Sequence, residues 1–434
     1  MRRRSGFLVI LLLLCSALAV PLAAATNLSV GKAWSRTPVR YSAVKAGKNY
    51  FVAYYAPDRS MMLAVVPVDG GEARNLRLPS RYRGRDTHRF TAIAVDTAGI
   101  VHVSGNMHND PLVYFQIRPP YQQADVSTPT MIGRDESSVT YPAFYPRSTG
   151  LVFTYRDGRS GDGVWYFNEW NGKSWRRLGA VPAFTSRYQG NTINAYPCVA
   201  AGWTGPVHFG LLWREKGGTQ NNIALTYAKT SDFEHWTRLD GKPIATPVTL
   251  EASDKITAPG PNQSLRDCEA NADSQGRPLI AYSGFDSEGK NAGFVARGDA
   301  GGWKISEVKK TDKHVVLVRT PGQPVNLVLG VKPVTFTGSS PVACFREGRT
   351  VSCSELDPST LAIKRSARVP FAYTMDVGGE SGRRLLAVVD THGDETGDFL
   401  SWDSMGKRAL RNKCGGQNDQ CEGMSTDLRI VSGK

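Results

Sequence analysis

Helical periodicity is nearly missing from this 434-residue chain. Apolar residues come instead in short runs bounded by Gly, Pro, Asn and Asp, a pattern of strands and turns that excludes a helical bundle. No CxxC or HExxH spacing is present, so no zinc signature can be read. No Ser/Pro-rich linker breaks the middle of the chain, which argues against two tethered domains. Beyond the N-terminus, no segment is apolar enough to span a bilayer.

The N-terminus itself reads as a processing signal. Arg2, Arg3 and Arg4 precede the apolar run from Phe7 to Leu14, and Ala23-Ala24-Ala25 offers a small-residue cleavage site. Residues 1–25 are therefore expected to be a signal peptide, with the mature chain starting near Thr26. Leu14, just before Cys15, is too large for the usual lipoprotein cleavage position, so no lipid anchor is expected. The protein is read as secreted or periplasmic, with no membrane association.

The formal net charge is +14. Losing the three leader arginines leaves roughly +11, an excess that favours anionic partners, and an exported protein meets acidic glycans more readily than nucleic acid. Basic charge that merely aids solubility is the plainer alternative. Six of the seven cysteines remain after export: Cys198, Cys268, Cys344, Cys353, Cys414 and Cys421. An even number in an oxidising compartment suggests bridges. Cys344 with Cys353, and Cys414 with Cys421, flank local turns and are the expected pairs. Cys198 and Cys268 are left for a long-range bridge or a metal site.

One element recurs, a polar turn ending in Gly and then a strand. It stands at Asp96-Thr-Ala-Gly99 before IVHVSG, at Arg147-Ser-Thr-Gly150 before LVFTYRDG, at Gly202-Trp-Thr-Gly205 before PVHFGLLWRE and at Asp273-Ser-Gln-Gly276 before RPLIAYSGF. Further strands follow, and then polar segments ending in Trp175, Trp236 and Trp303. Repeats of roughly 50 residues with several strands each are the mark of propeller blades. The expectation is an all-β, seven-bladed β-propeller spanning residues 26–434 as one domain, with blade boundaries legible only to about Lys310. The Trp segments are degenerate versions of the Asp-box turn Ser-x-Asp-x-Gly-x-x-Trp, and these tryptophans are assigned no chemistry.

Candidate chemistry concentrates where strand ends should meet a rim. Three of the seven histidines, His88, His102 and His108, fall in one strand-turn-strand unit. His102 lies within the alternation of IVHVSG and reads as a packed residue. His88 and His108 flank the paired strands and could share a proton-transfer site. Tyr141 and Tyr196 each precede Pro, which should hold both in extended backbone. Arg156 either pairs with the adjacent Asp157 or grips a substrate carboxylate in bidentate fashion. Together, His, Tyr and Arg are the set needed to eliminate across the C4–O bond of a uronic acid. A cation stabilises the carboxylate as negative charge spreads into it, a base removes the C5 hydrogen, and an acid protonates the departing oxygen.

The segments DTHRFTAIAVDTAGIVHVSGNMHNDPLVYF, VTYPAFYP, LVFTYRDGRSGDGVWYFNEW, NAYPCVA and LTYAKTSDFEHWTRLDGKPI resemble the BNR-repeat-containing propeller family that includes ulvan lyases and related rhamnose-glucuronate lyases. The resemblance runs from about Arg85 to Ile244 and continues weakly through ANADSQGRPLIAYSGF. It implies a seven-bladed propeller that cleaves beside glucuronate or iduronate in rhamnose-containing anionic polysaccharide, leaving a 4,5-unsaturated uronate. By position it implies His88 and Tyr141 as the acid–base pair, His108 and Arg156 holding the carboxylate, and Tyr196 lining the subsite. No cofactor is required for that chemistry. Some relatives carry structural calcium or zinc, and no ligand set for either can be placed on this sequence. The protein is expected to act as a monomer on an anionic polysaccharide. Two rivals remain: a sialidase-type hydrolase, of which Arg36-Thr37-Pro38 is only a partial echo, and a noncatalytic glycan-binding propeller.

Overall fold

The structure is a computed structural model that describes residues 27–216, 218–261, 263–315, 328–374, 381–405 and 424–432. The expected signal peptide and the expected Cys414–Cys421 pairing lie outside the described residues. Strands dominate; the one α-helix among the described residues is the single turn Phe371–Thr374.

Among the described residues, six hydrogen-bonded sheets follow one another along the chain. The first complete sheet past the N-terminal strands holds Thr91–Val95, Val101–Gly105, Tyr114–Ile117 and Val126–Ser127. Next comes Val139–Arg147, Gly150–Arg159, Asp162–Trp170 and Trp175–Leu178. The third is built on Asn191–Ala200, Val207–Arg214 and Asn222–Thr230, and the fourth on Arg266–Ala272, Pro278–Phe285, Lys290–Asp299 and Gly302–His314. The fifth contains Leu329–Val331, Ser340–Glu347, Thr350–Leu356 and Ile363–Ala367. An eight-stranded sheet joins both ends of the chain, and its halves meet through a short parallel contact, Val44 opposite Val389 and Lys45 opposite Asp390. Within that sheet Asn27–Trp34 pairs antiparallel with Ser425–Ser432.

The leading strands stand side by side. Ser42–Ala46 packs beside Thr91–Val95, which packs beside Val139–Arg147, while Asn191–Ala200 abuts Arg266–Ala272, itself beside Leu329–Val331. This is a propeller-like arrangement of meandering antiparallel sheets packed face to face. It explains the apolar runs in the sequence. Middle strands such as Ser60–Pro67 are buried on both faces and read as continuous apolar stretches, whereas the outer strand Arg74–Arg81 alternates.

Cores lie between neighbouring sheets. Trp165, Phe167, Phe184, Phe209, Trp213 and Trp236 form one, and Trp170 and Trp175 join another with Phe153 and Tyr155. Trp175 and Trp236 therefore act as packing, and Trp303 is packed against a third cluster. The Asp96–Gly99 turn shows why the recurring turn needs its residues. Asp96 Oδ1 accepts from the backbone N–H groups of Ala98 and Ile100, and Gly99 takes a φ of 78°, a region open to glycine and costly for a side chain.

Two disulfides are present among the described residues. Cys344 and Cys353 face each other across a strand pair, as the local spacing suggested. Cys198 and Cys268 also pair, tying Asn191–Ala200 to Arg266–Ala272 in the next sheet. The metal alternative for these two cysteines is thereby set aside.

Candidate functional site

Pairing of Thr91 with Gly105 makes a narrow hairpin. The residues just before its first strand and just after its second consequently converge, and His88 and His108 stack with ring centroids 4.1 Å apart and planes 24° apart. Between them lies a residue the sequence reading left out. Asp86 Oδ1 bonds His88 Nδ1 at 2.5 Å and also accepts the His88 backbone N–H at 3.0 Å, while Asp86 Oδ2 bonds His108 Nδ1. Burial alone would raise the Asp86 pKa, but the bonds from His108 and His88 outweigh it and hold the carboxyl far below the usual range. An anionic acceptor on each Nδ1 fixes the imidazoles with Nδ1 as donor and leaves both Nε2 atoms for chemistry.

Asp86, His88 and His108 each bring one ligand atom to within 4.8 Å of the others, as do Asp390, His392 and Asp394 in a turn elsewhere. The donor types of the first group suit a zinc ion. Its geometry, however, is that of a self-satisfied triad, in which a cation would compete with two Nδ1 donors for the same carboxylate.

Tyr141 packs edge-on to His88, with centroids 5.6 Å apart. Its backbone departs from the extended form expected before Pro142. Tyr141 has a φ of 61°, in the left-handed region that bulky residues avoid, and the register slips between Thr140 and Ala143. Pro142 cannot donate to the ladder, and the resulting bulge coincides with placement of the phenol among His88, Trp165, Tyr196 and Arg156. Such outliers are found where surrounding structure holds a functional side chain in place. Burial, supported by nearby Tyr196 and opposed by Arg156, pushes the Tyr141 phenol up to about 12. It is therefore an O–H donor at neutral pH.

Arg156 is 1% exposed. It does not pair with Asp157, because consecutive strand residues point to opposite faces and Asp157 instead accepts from Ser138 N–H. Arg156 Nε donates to Gly158 O at 3.1 Å, Nη1 to the Tyr196 hydroxyl at 3.1 Å, and Nη2 to Asn109 Oδ1 at 2.9 Å and Thr140 Oγ1 at 3.2 Å. Gly163 makes this possible, since a Cβ there would lie 2.8 Å from Arg156 Cδ. Tyr196, in regular strand pairing, donates its hydroxyl to Ser160 Oγ at 2.9 Å. The Arg214 guanidinium lies 3.6 Å from the Tyr196 ring centre. Burial would raise the Tyr196 pKa, but Arg214 and then Arg156 reverse the effect, and the phenol ionises below its ordinary value.

The five residues singled out from sequence thus come together: His88, His108, Tyr141, Arg156 and Tyr196 form one connected group. His102 stays outside it as read, fully buried, with Nδ1 2.6 Å from the Tyr114 hydroxyl. Asp86, Asn109, Ser160 and Arg214 were missed. Arg214 closes the run PVHFGLLWRE, legible as a strand, but no local spacing points to its partner. A cavity of ≈ 670 Å³ lies at the opposite ends of these strands, lined by Val95, Arg147 and the stacked Trp203–His392 pair, away from His88 and His108.

Among solved structures, the chain is similar to a polysaccharide lyase described as a PL25 ulvan lyase, with a TM-score of 0.61 and 12% identity, covering 94% of this chain and 95% of that one. A second structure of such a lyase, bound to -[GlcA(1-4)Rha3S]-, has a TM-score of 0.60 at 12% identity, again covering 94% and 95%. At that identity the likeness shows the shared fold. No curated protein matches the sequence. The family model for BNR repeat-containing family members matches residues 49–311, more than half of the chain. With a propeller-like fold and that match, the chain belongs to the BNR repeat-containing family.

Proposed function

We propose that the protein is a secreted or periplasmic polysaccharide lyase that cleaves the 4-O bond at a uronic acid, glucuronate or iduronate, in a rhamnose-containing anionic polysaccharide. The observation that carries this reading is the convergence of two Asp86-oriented imidazoles, a protonated phenol and a buried guanidinium on one rim. Nearby cationic and hydrogen-bonding groups stabilise the charge that develops on the uronate carboxylate. His88, through Nε2, takes the C5 proton; the electron pair forms the C4–C5 double bond as the C4–O bond breaks. Tyr141 donates its proton to the departing oxygen. His108 and Arg156 supply the positive and hydrogen-bonding field for the carboxylate, and Tyr196 lines the subsite. These proton transfers call for no cofactor.

In this reading the eight-stranded sheet is two blades joined at the short parallel contact, which makes seven blades with the other five sheets. The substrate is an acidic glycan like that of the structurally similar lyase, met by the monomeric protein outside the cytoplasm, consistent with two disulfides. Nucleic acid and membranes are not its partners.

Incubation with ulvan and other rhamnose-glucuronate polymers tests the proposal. The expected outcome is ultraviolet absorbance from an unsaturated uronate, abolished in His88→Ala. Reducing ends without absorbance would mean hydrolysis, and binding with neither signal would mean a noncatalytic glycan-binding protein.

A further inference from the structure

Two arginines flank Tyr196, and their surroundings differ. Four of the five N–H groups of Arg156 are committed to protein acceptors, and the side chain is closed off from solvent. Arg214, at the end of Val207–Arg214, is only half-buried. Its Nε donates to Asn222 Oδ1 at 2.7 Å, and among the described residues its two Nη groups have no protein acceptor. The guanidinium rests over the Tyr196 ring at 3.6 Å, so its face is covered and its edge remains for a ligand.

The support beneath it is rigid. Asn222 is 1% exposed and donates through Nδ2 to Leu265 O at 2.6 Å, which anchors Arg214 to the segment leading into the next sheet. A guanidinium held at Nε and stacked on a ring has lost its rotamer freedom before any ligand arrives, which lowers the entropic cost of binding. The order of contacts is His88, Tyr141, Tyr196, Arg214, so this cation stands at the far end of the aromatic row from the histidines.

We propose that Arg214 forms an anion-binding subsite for an acidic group of the polysaccharide, a uronate carboxylate or a sulfate ester, on the side of Tyr196 away from His88. This rests on the reading of the site as one for acidic polysaccharide. Arg156, in contrast, acts on the carboxylate through its buried charge, while its committed N–H groups hold Tyr196, Asn109 and Thr140 in place.

The test pairs variants with chemically altered polymer. Binding is measured by calorimetry in a His88→Ala background, and KM and kcat in the unaltered protein, with ulvan, its carboxyl-reduced form and its desulfated form. Arg214→Met is expected to raise Kd and KM by ~10- to 100-fold, with kcat changed by less than about threefold. Whichever altered polymer the parent protein binds poorly, Arg214→Met should bind that polymer and ulvan alike, which identifies carboxylate or sulfate as the group recognised. Arg214→Lys, which keeps the charge and loses the fork, and Asn222→Ala, which removes the anchor, should show smaller increases and guard against misfolding of the methionine variant. Unchanged KM and Kd in Arg214→Met, or undiminished discrimination between the polymers, overturns the subsite. Arg214-dependent binding without unsaturated product keeps the subsite and removes the lyase reading. Product formation indifferent to Arg214 does the reverse.

Discussion

His88 and His108 share one carboxylate: each turns its Nδ1 to a different oxygen of Asp86, and their rings stack 4.1 Å apart. One anion thereby orients two potential proton carriers, and its removal should disorder both. Asp86→Asn is expected to lower kcat by ~10²- to 10⁴-fold while the fold is kept. Steady-state rates together with circular dichroism check this; a variant with near-normal kcat would deny Asp86 its orienting role.

The same carboxylate predicts an acid dependence of stability. Its folded-state pKa is depressed, so its contribution is present above the ordinary carboxylate value of roughly 4 and is lost as pH falls through the folded value. The difference in thermal midpoint between the parent protein and Asp86→Asn should accordingly shrink between about pH 5 and pH 2. A difference independent of pH would show that Asp86 is not ionised in this arrangement.

Tyr141 and Tyr196 are neighbours with opposite shifts. Burial raises the first to about 12, while the two arginines bring the second below the ordinary tyrosine value. Spectroscopic titration should show an early tyrosinate signal that disappears in Tyr196→Phe and survives in Tyr141→Phe. Activity should show the converse emphasis, with Tyr141→Phe losing ~10²-fold or more in kcat, as its proposed role of proton donor to the leaving oxygen requires.

Gly163 gives a steric test of the site. A methyl group there meets Arg156 Cδ at 2.8 Å and Cγ at 2.9 Å, and the guanidinium cannot yield without breaking its bonds to Tyr196 and Asn109. Gly163→Ala should cost ~1–3 kcal/mol of stability, typical of overpacking, and should lower kcat/KM more than Gly172→Ala. Gly172 has open space around it, though with a φ of 90° it carries backbone strain of its own, so melting temperatures of both variants provide the correction.

The Cys198–Cys268 bridge spans 70 residues and fastens leading strands of adjacent sheets. In the chain-entropy account a loop of this length is worth about 4 kcal/mol. Denaturant midpoints of Cys198→Ser/Cys268→Ser should fall well below those of Cys344→Ser/Cys353→Ser, whose loop spans only 9 residues.

What could be read from sequence followed the range of the interactions. The Asp96–Gly99 turn, the placement of His88 and His108 at the ends of one hairpin, and the packed state of His102 all depend on neighbours close in the chain, and all were legible. Asp86 was visible in DTHRF, yet its hold on His108 arises only when the hairpin closes. Tyr141 shows a different failure, since the proline rule describes an unconstrained chain and a bulge set by tertiary packing overrides it. Arg214 acts through Tyr196 across one strand pair and through Asn222 to Leu265 in another segment, contacts that no local spacing announces. The bridge from Cys198 to Cys268 was left open for the same reason.

The pairing of Asn27–Trp34 with Ser425–Ser432 has a temporal meaning. The strand that emerges early must wait, with one hydrogen-bonding edge bare, until nearly all of the chain has followed. Synthesis and folding are thus coupled through the order in which edges become available. A polypeptide cut short before Ser425 would leave Asn27–Trp34 without its partner, an adhesive strand for other chains and an opening for proteases.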